Sequence, residues 1–203
     1  LAPSADPAAD PKAASPCEGT TLLLIRHAPA DDRNRLTGRT DVTAVVDAGA
    51  AAALAALAGP VDRIVASPAL RCRLTAAALW PGADVDQDPR LWEQDFGAWE
   101  GAAYAHLPDL GPIGADELAR TAPPGGESFA ALCDRTIPAL QDLARRGGRV
   151  AVVAHAGTVR AALACATGSM AGALAFRIAP LSLTVIEARP AGWVVACVNR
   201  LAP

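Results

Sequence analysis

Short aliphatic runs bounded by polar residues alternate with longer amphipathic or Ala/Leu-rich stretches, a rhythm that predicts strands interleaved with helices. The run Thr21-Leu22-Leu23-Leu24-Ile25 passes directly into Arg26-His27-Ala28. Four consecutive aliphatic residues suit a strand covered on both faces. Asp47 caps a predicted helix that continues through Leu57 and is ended by Gly59-Pro60. Asp62-Arg63-Ile64-Val65-Ala66 predicts a second strand, and Ser67-Pro68 supplies an N-cap with proline at the first helical position, placing Arg71 in or just after the first turn. Pro123 to Ser128 punctuates the chain before a helix that runs to about Arg146 and is expected to bend near Pro138. Arg149 to Ala154 repeats the first pattern: an apolar strand, here ending at His155-Ala156-Gly157-Thr158, before a helix from Val159 to about Thr167. Two final strands are predicted at roughly 181–188 and 192–199. Residues 1–19, rich in Ala, Pro and Asp without hydrophobic period, are expected to form a weakly ordered tail, leaving 20–203 as the folded domain.

Composition narrows the class. A chain of 203 residues with 52% hydrophobic content suits one domain with a sizeable core. A formal net charge of −3 and the lack of a Lys/Arg-rich block argue against nucleic acid or an anionic membrane as the main partner. Lys12 is the only lysine among 18 basic residues, so an arginine here signifies something only through its position. Five scattered cysteines without a CxxC pair favour a reducing, cytoplasmic home. No apolar run approaches the roughly 20 residues that span a bilayer, and the N-terminus lacks signal-peptide character, so a soluble protein is expected.

The candidate chemistry gathers where strands end. Ligands of open α/β sheets collect at the carboxyl ends of strands, which is where Arg26, His27 and His155 stand; His106 lies apart in a polar segment. Arg71 near a helix N-terminus opposes the helix dipole at a cost of about 0.3–1 kcal/mol unless an anion sits nearby. The polar segment 31–41 is long enough to fold back over a site, with Asn34 and Arg39 as its candidate ligand contacts. Arg90 to Gly101 mixes Glu93, Asp95 and Glu100 with Trp92, Phe96 and Trp99; a carboxyl against apolar rings has its pKa raised and can act as an acid, although each of the three could equally cap a loop or pair at the surface. Two histidines would also suit zinc or a serine hydrolase, but the arginines repel a dication and no HxH, HExxH, CxxC or GxSxG is present. Two histidines with two arginines prefer an anion, and phosphate is the common one.

Arg26-His27-Ala28, Ser67 to Ala76, Leu91 to Gly101, Pro124 to Ser128 and Val153 to Arg160 resemble, in order, the signatures of the histidine phosphatase superfamily, also called phosphoglycerate mutase-like. The resemblance implies a three-layer α/β/α sandwich around a mostly parallel sheet. It also implies a metal-independent phosphoric monoester hydrolase of the histidine acid phosphatase type, without cofactor. His27 would take the phosphoryl group, Arg26, Arg71 and His155 would clamp its oxygens, and Glu93 would protonate the leaving oxygen. The family usually has glycine where Ala28 stands and often where Ala156 stands, so a differently shaped pocket floor is expected. Its asparagine after the first motif does not align cleanly with Asn34, and Arg39 is an equal candidate. The alternatives are a phosphoglycerate mutase, against which the short chain argues, and a non-catalytic phosphate-binding member, against which the complete residue set argues. The expected partner is a small phosphorylated substrate; the loop Thr37 to Val42 resembles that of α-ribazole phosphatases of cobalamin synthesis, and sugar phosphates or other nucleotides stay open. The oligomeric state is open, a homodimer included.

Overall fold

The strand β1 (Thr20–Arg26) sends alternate side chains to two separate cores, which explains its unbroken aliphatic run. Leu22 and Leu24 join one core with Leu132, Leu140 and Leu163, while Leu23 and Ile25 join the other with Leu54, Cys72 and Ala76. The computed structural model describes residues 19–203; the expected tail, apart from Gly19, lies outside the described residues.

After β1 follow α1 (Ala48–Ala58), β2 (Arg63–Ala66), α2 (Leu70–Leu79), the two-residue β3 (Asp86–Gln87), α3 (Ala115–Arg120), α4 (Phe129–Ala144), β4 (Arg149–Ala154), α5 (Ala156–Thr167), α6 (Met170–Leu174), β5 (Leu183–Arg189) and β6 (Gly192–Arg200). The six strands form one sheet in the order β3-β2-β4-β1-β5-β6. The first four in that order pair in parallel, and β5 and β6 are antiparallel additions. Buried residues of α1 and α2 form the core on one face, and those of α4 and α5 the core on the other. The three-layer, mostly parallel α/β sandwich expected from the motifs is therefore the observed architecture. Among the described residues no helix is long and apolar enough to cross a membrane.

Asp47 and Ser128 cap α1 and α4, accepting from the N–H groups of Ala50 and Ala131. Ser67 does not cap α2 as expected. That helix begins at Leu70, and the Ser67 hydroxyl accepts only a long 3.3 Å bond from Ala69 N–H. The Leu70 N–H is satisfied instead by Asp41 Oδ1 at 2.7 Å, from the polar segment that precedes α1. Helix α5 starts at Ala156, three residues earlier than its pattern suggested, so that His155 is its N-cap residue.

Candidate active site

Parallel pairing of β2, β4 and β1 brings their carboxyl ends together, and each ends in one of the singled-out motifs. His27 follows β1, its N–H bonded to Ala154 O at 2.9 Å. His155 follows β4, and Arg71 sits at the second position of α2, just beyond β2. The two imidazoles meet edge to face with ring centroids 5.2 Å apart. His27 is 5% exposed, Arg71 1% and His155 fully buried.

The tautomer of His27 follows from its neighbour. Its Nδ1 lies 2.6 Å from Ala28 O, which can only accept, so Nδ1 carries the proton and Nε2 keeps its lone pair. Ala28 N–H donates in turn to Thr75 Oγ1 at 2.9 Å, and that hydroxyl donates to Arg71 O. Burial, more than the cations of Arg71 and Arg26, lowers the His27 pKa to about 3, against an opposing contribution from Ala28 O. The imidazole is therefore neutral at ordinary pH. His155 is pushed well down as well, by burial first and then by Arg71 and His27. It shares a 2.8 Å hydrogen bond with the Ser67 hydroxyl, and the Cys72 sulfur stands 3.5 Å from its Nε2.

Arg26 donates through Nη1 to Ile178 O at 2.6 Å, while its Nε is buried without a partner. Burial lowers its pKa, partly offset by the nearby charge of Glu93. Arg71 donates to Gly38 O at 2.7 Å and Thr40 O at 3.1 Å. Two of the five N–H groups of that guanidinium are thus committed to the loop. A buried, unpartnered arginine nitrogen near two neutral imidazoles has the chemistry to hold an anion.

Glu93 accepts from its neighbour Gln94 N–H at 3.0 Å and from Gly157 N–H, in the first turn of α5, at 3.4 Å. Gly157 permits this approach, since a Cβ there would come within 2.2 Å of Glu93 Oε1. The other two acids of that stretch have structural partners. Asp95 accepts from Gly97 N–H, and Glu100 accepts from the loop around Gly38. Glu100 departs from the raised pKa expected among aromatic rings: burial does push it up, but the Thr40 hydroxyl and the N–H groups of Arg39, Gly38 and Thr40 outweigh burial and hold it below the ordinary value.

The outer candidates separate. Arg39 lies 5.7 Å over the Trp92 ring and 3.7 Å from Glu127, with its Nε buried and unpartnered, and Trp92 stacks on His155 at 6.4 Å. Asn34 is exposed in a left-handed turn (φ 61°), where its N–H donates to Asp32 and its carbonyl accepts from Tyr104. Neither Ala28 nor Ala156 adopts positive φ, so alanine is not strained at either position. His106 is exposed in the turn Tyr104–His106.

Three contributors escape motif reading because their chemistry is long-range. Ser67 holds His155, Thr75 holds Ala28, and Arg135 binds Glu127 bidentately while donating to the carbonyls of Arg90, Trp92 and Glu93. Ser67 and Thr75 lie inside the matched stretch Ser67 to Ala76, but only the spacing of Thr75 four residues after Arg71, one helical turn, hints at a partner.

The sequence profile of the histidine phosphatase superfamily (branch 1) matches residues 22–201. A bifunctional protein of Mycobacterium tuberculosis is 33% identical over 172 residues, a stretch covering 76% of this chain and 46% of that protein. The chain thus spans about half the length of that relative. A glucosyl-3-phosphoglycerate phosphatase of Mycolicibacterium vanbaalenii is 31% identical over 167 residues, covering 72% of this chain and 74% of the relative. The native structure of a mycobacterial glucosyl-3-phosphoglycerate phosphatase superposes with a TM-score of 0.76 at 26% identity, over 90% of this chain and 99% of the other.

Proposed function

The chain belongs to the histidine phosphatase superfamily, and from that membership we propose that it is a metal-independent phosphomonoesterase acting on a small phosphorylated metabolite through a phosphohistidine on His27. The observation that carries the proposal is the His27 ring itself, with Nδ1 tied to Ala28 O and Nε2 left as an unprotonated nucleophile beside the buried Arg71 and the half-buried Arg26.

In the proposed reaction Nε2 of His27 attacks phosphorus as the ester P–O bond breaks. Glu93 gives a proton to the departing alcohol. Water then attacks the phosphohistidine, Glu93 takes a proton from it, the N–P bond breaks, and inorganic phosphate leaves. Arg26, Arg71 and His155 donate to the non-bridging oxygens, which is where phosphoryl transfer needs stabilisation. The contact of the Glu93 carboxyl with Gly157 N–H, in the first turn of α5, holds it next to the helix that His155 precedes. The stacked Arg39 and Trp92 are proposed to meet the rest of the substrate, the guanidinium offering a cation and the indole a flat apolar face.

Two arms test this reading. Wild-type protein should hydrolyse p-nitrophenyl phosphate without added metal and be inhibited by vanadate, whereas His27→Ala should lose activity by roughly 10³-fold or more with an unchanged circular dichroism spectrum. Near wild-type turnover by the mutant would remove His27 as nucleophile. For the substrate, kcat/KM should be compared across α-ribazole 5′-phosphate, glucosyl-3-phosphoglycerate, phosphoserine, sugar phosphates and nucleotides. A preference for the benzimidazole nucleotide would support the loop resemblance, and a preference for another phosphate ester would end it while leaving phosphatase activity intact.

A further inference from the structure

Glu100 has no part in the proposed chemistry, yet its carboxylate is one of the most heavily bonded in the chain. It accepts from Gly38 N–H (3.0 Å), Arg39 N–H (2.8 Å), Thr40 N–H (3.1 Å), the Thr40 hydroxyl (2.6 Å) and Phe96 N–H (3.2 Å). Among the described ion pairs it takes no part. We infer that Glu100 is a positioning residue for Arg71, acting through the backbone of Gly38 to Thr40; the inference rests on Arg71 being a phosphate ligand, as proposed above.

The geometry runs in one direction. Three successive N–H groups converge on one carboxylate, and the carbonyls of Gly38 and Thr40 are thereby left to the buried Arg71 guanidinium, which takes both. Charge-assisted bonds to a carboxylate are about twice as strong as neutral ones, so this anchor sets the conformation of the loop. Gly38 is required for the approach: a Cβ there would stand 1.9 Å from Gln94 O and 2.6 Å from Glu100 Oε1. The next residue, Asp41, accepts from Leu70 N–H at the start of the helix that carries Arg71. One loop therefore holds both the backbone and the side chain of Arg71, and Glu100 holds the loop. An amide in place of the carboxylate would point N–H donors at N–H donors. The loop would relax, and Arg71 would lose the two carbonyls that aim it.

The test is Glu100→Gln in the wild-type and Arg71→Ala backgrounds, read by vanadate affinity and by kcat/KM for p-nitrophenyl phosphate. Misplacement of a positioning group by about 1 Å costs up to about 100-fold, so a loss of that order is expected with Arg71 present and less than about threefold with Arg71 absent. Equal losses in the two backgrounds, or none in the first, would overturn the inference while a fully active wild type leaves the phosphatase reading standing. A wild type that neither turns over esters nor binds vanadate would overturn both. Thr40→Val, which removes one oxygen–oxygen bond and leaves the backbone contacts, guards against misfolding of the Gln variant. It should give a smaller loss with the same dependence on Arg71, and an Arg71-independent loss would count against the inference.

Discussion

At the scale of single residues the acid stretch divides its labour by hydrogen-bond partner. Asp95 accepts from Gly97 N–H two residues on and Glu100 from the loop around Gly38, whereas Glu93 makes one contact with its own neighbour and one long contact with Gly157. What sets Glu93 apart is its contact with the first turn of α5, the helix that His155 precedes. Glu93→Gln should slow alkyl phosphates by roughly 10²–10⁴-fold, the usual contribution of general acid catalysis. Hydrolysis of p-nitrophenyl phosphate, whose leaving group needs little protonation, should suffer far less in the same assay. Equal losses on both esters would assign Glu93 a structural role.

At the scale of elements, the loop after β3 and the loop before α4 cross with their backbones in contact. Cβ atoms at Gly97 and Gly126 would come within 2.3 Å of Pro124 O and 2.5 Å of Asp95 O. Glu127 N–H donates to Asp95 O across the same crossing, and Arg135 fastens Glu127 to the carbonyl of Glu93. Gly126→Ala should therefore cost about 1–3 kcal/mol, as overpacking does, in urea denaturation, and should lower kcat through the displaced acid loop. A fully stable and active variant would show that the crossing yields freely. This crossing also marks the limit of what sequence reading could reach. β1, α1 and β4 were legible because their periodicity and caps are local, and Arg26, His27 and His155 were legible because they follow apolar runs. Glycines facing a backbone more than 25 residues away, or a serine serving a histidine instead of its own helix, carry no local signal. The three-residue error at the start of α5 has the same origin, since His155 occupies a cap position that its residue type does not advertise.

At the scale of the molecule, two buried imidazoles held neutral link folding to pH. The sign follows from His27: its pKa is about 3 when folded and 6.5 in an unperturbed chain, so between those values the unfolded state binds more protons. The His27 contribution to stability is fully present above about pH 6.5 and is lost as pH drops through that window, with His155 shifted in the same direction and adding to the loss. Urea midpoints at pH 7, 5 and 4 should decline in that order, and the decline should be shallower in His27→Asn; an identical slope in the variant would place the linkage elsewhere. The sheet order has a consequence of another kind. β1 is flanked by β4 and β5, both from the last third of the chain, with Thr21 opposite Arg149 and opposite Glu187. On a ribosome adding about 5–20 residues per second, the aliphatic strand that carries His27 must wait on the order of ten seconds for its first neighbour. During that interval Leu22 to Ile25 form an unpaired, strand-prone segment of the nascent chain, so the stretch that ends in the proposed nucleophile is exposed to wrong pairing for most of synthesis.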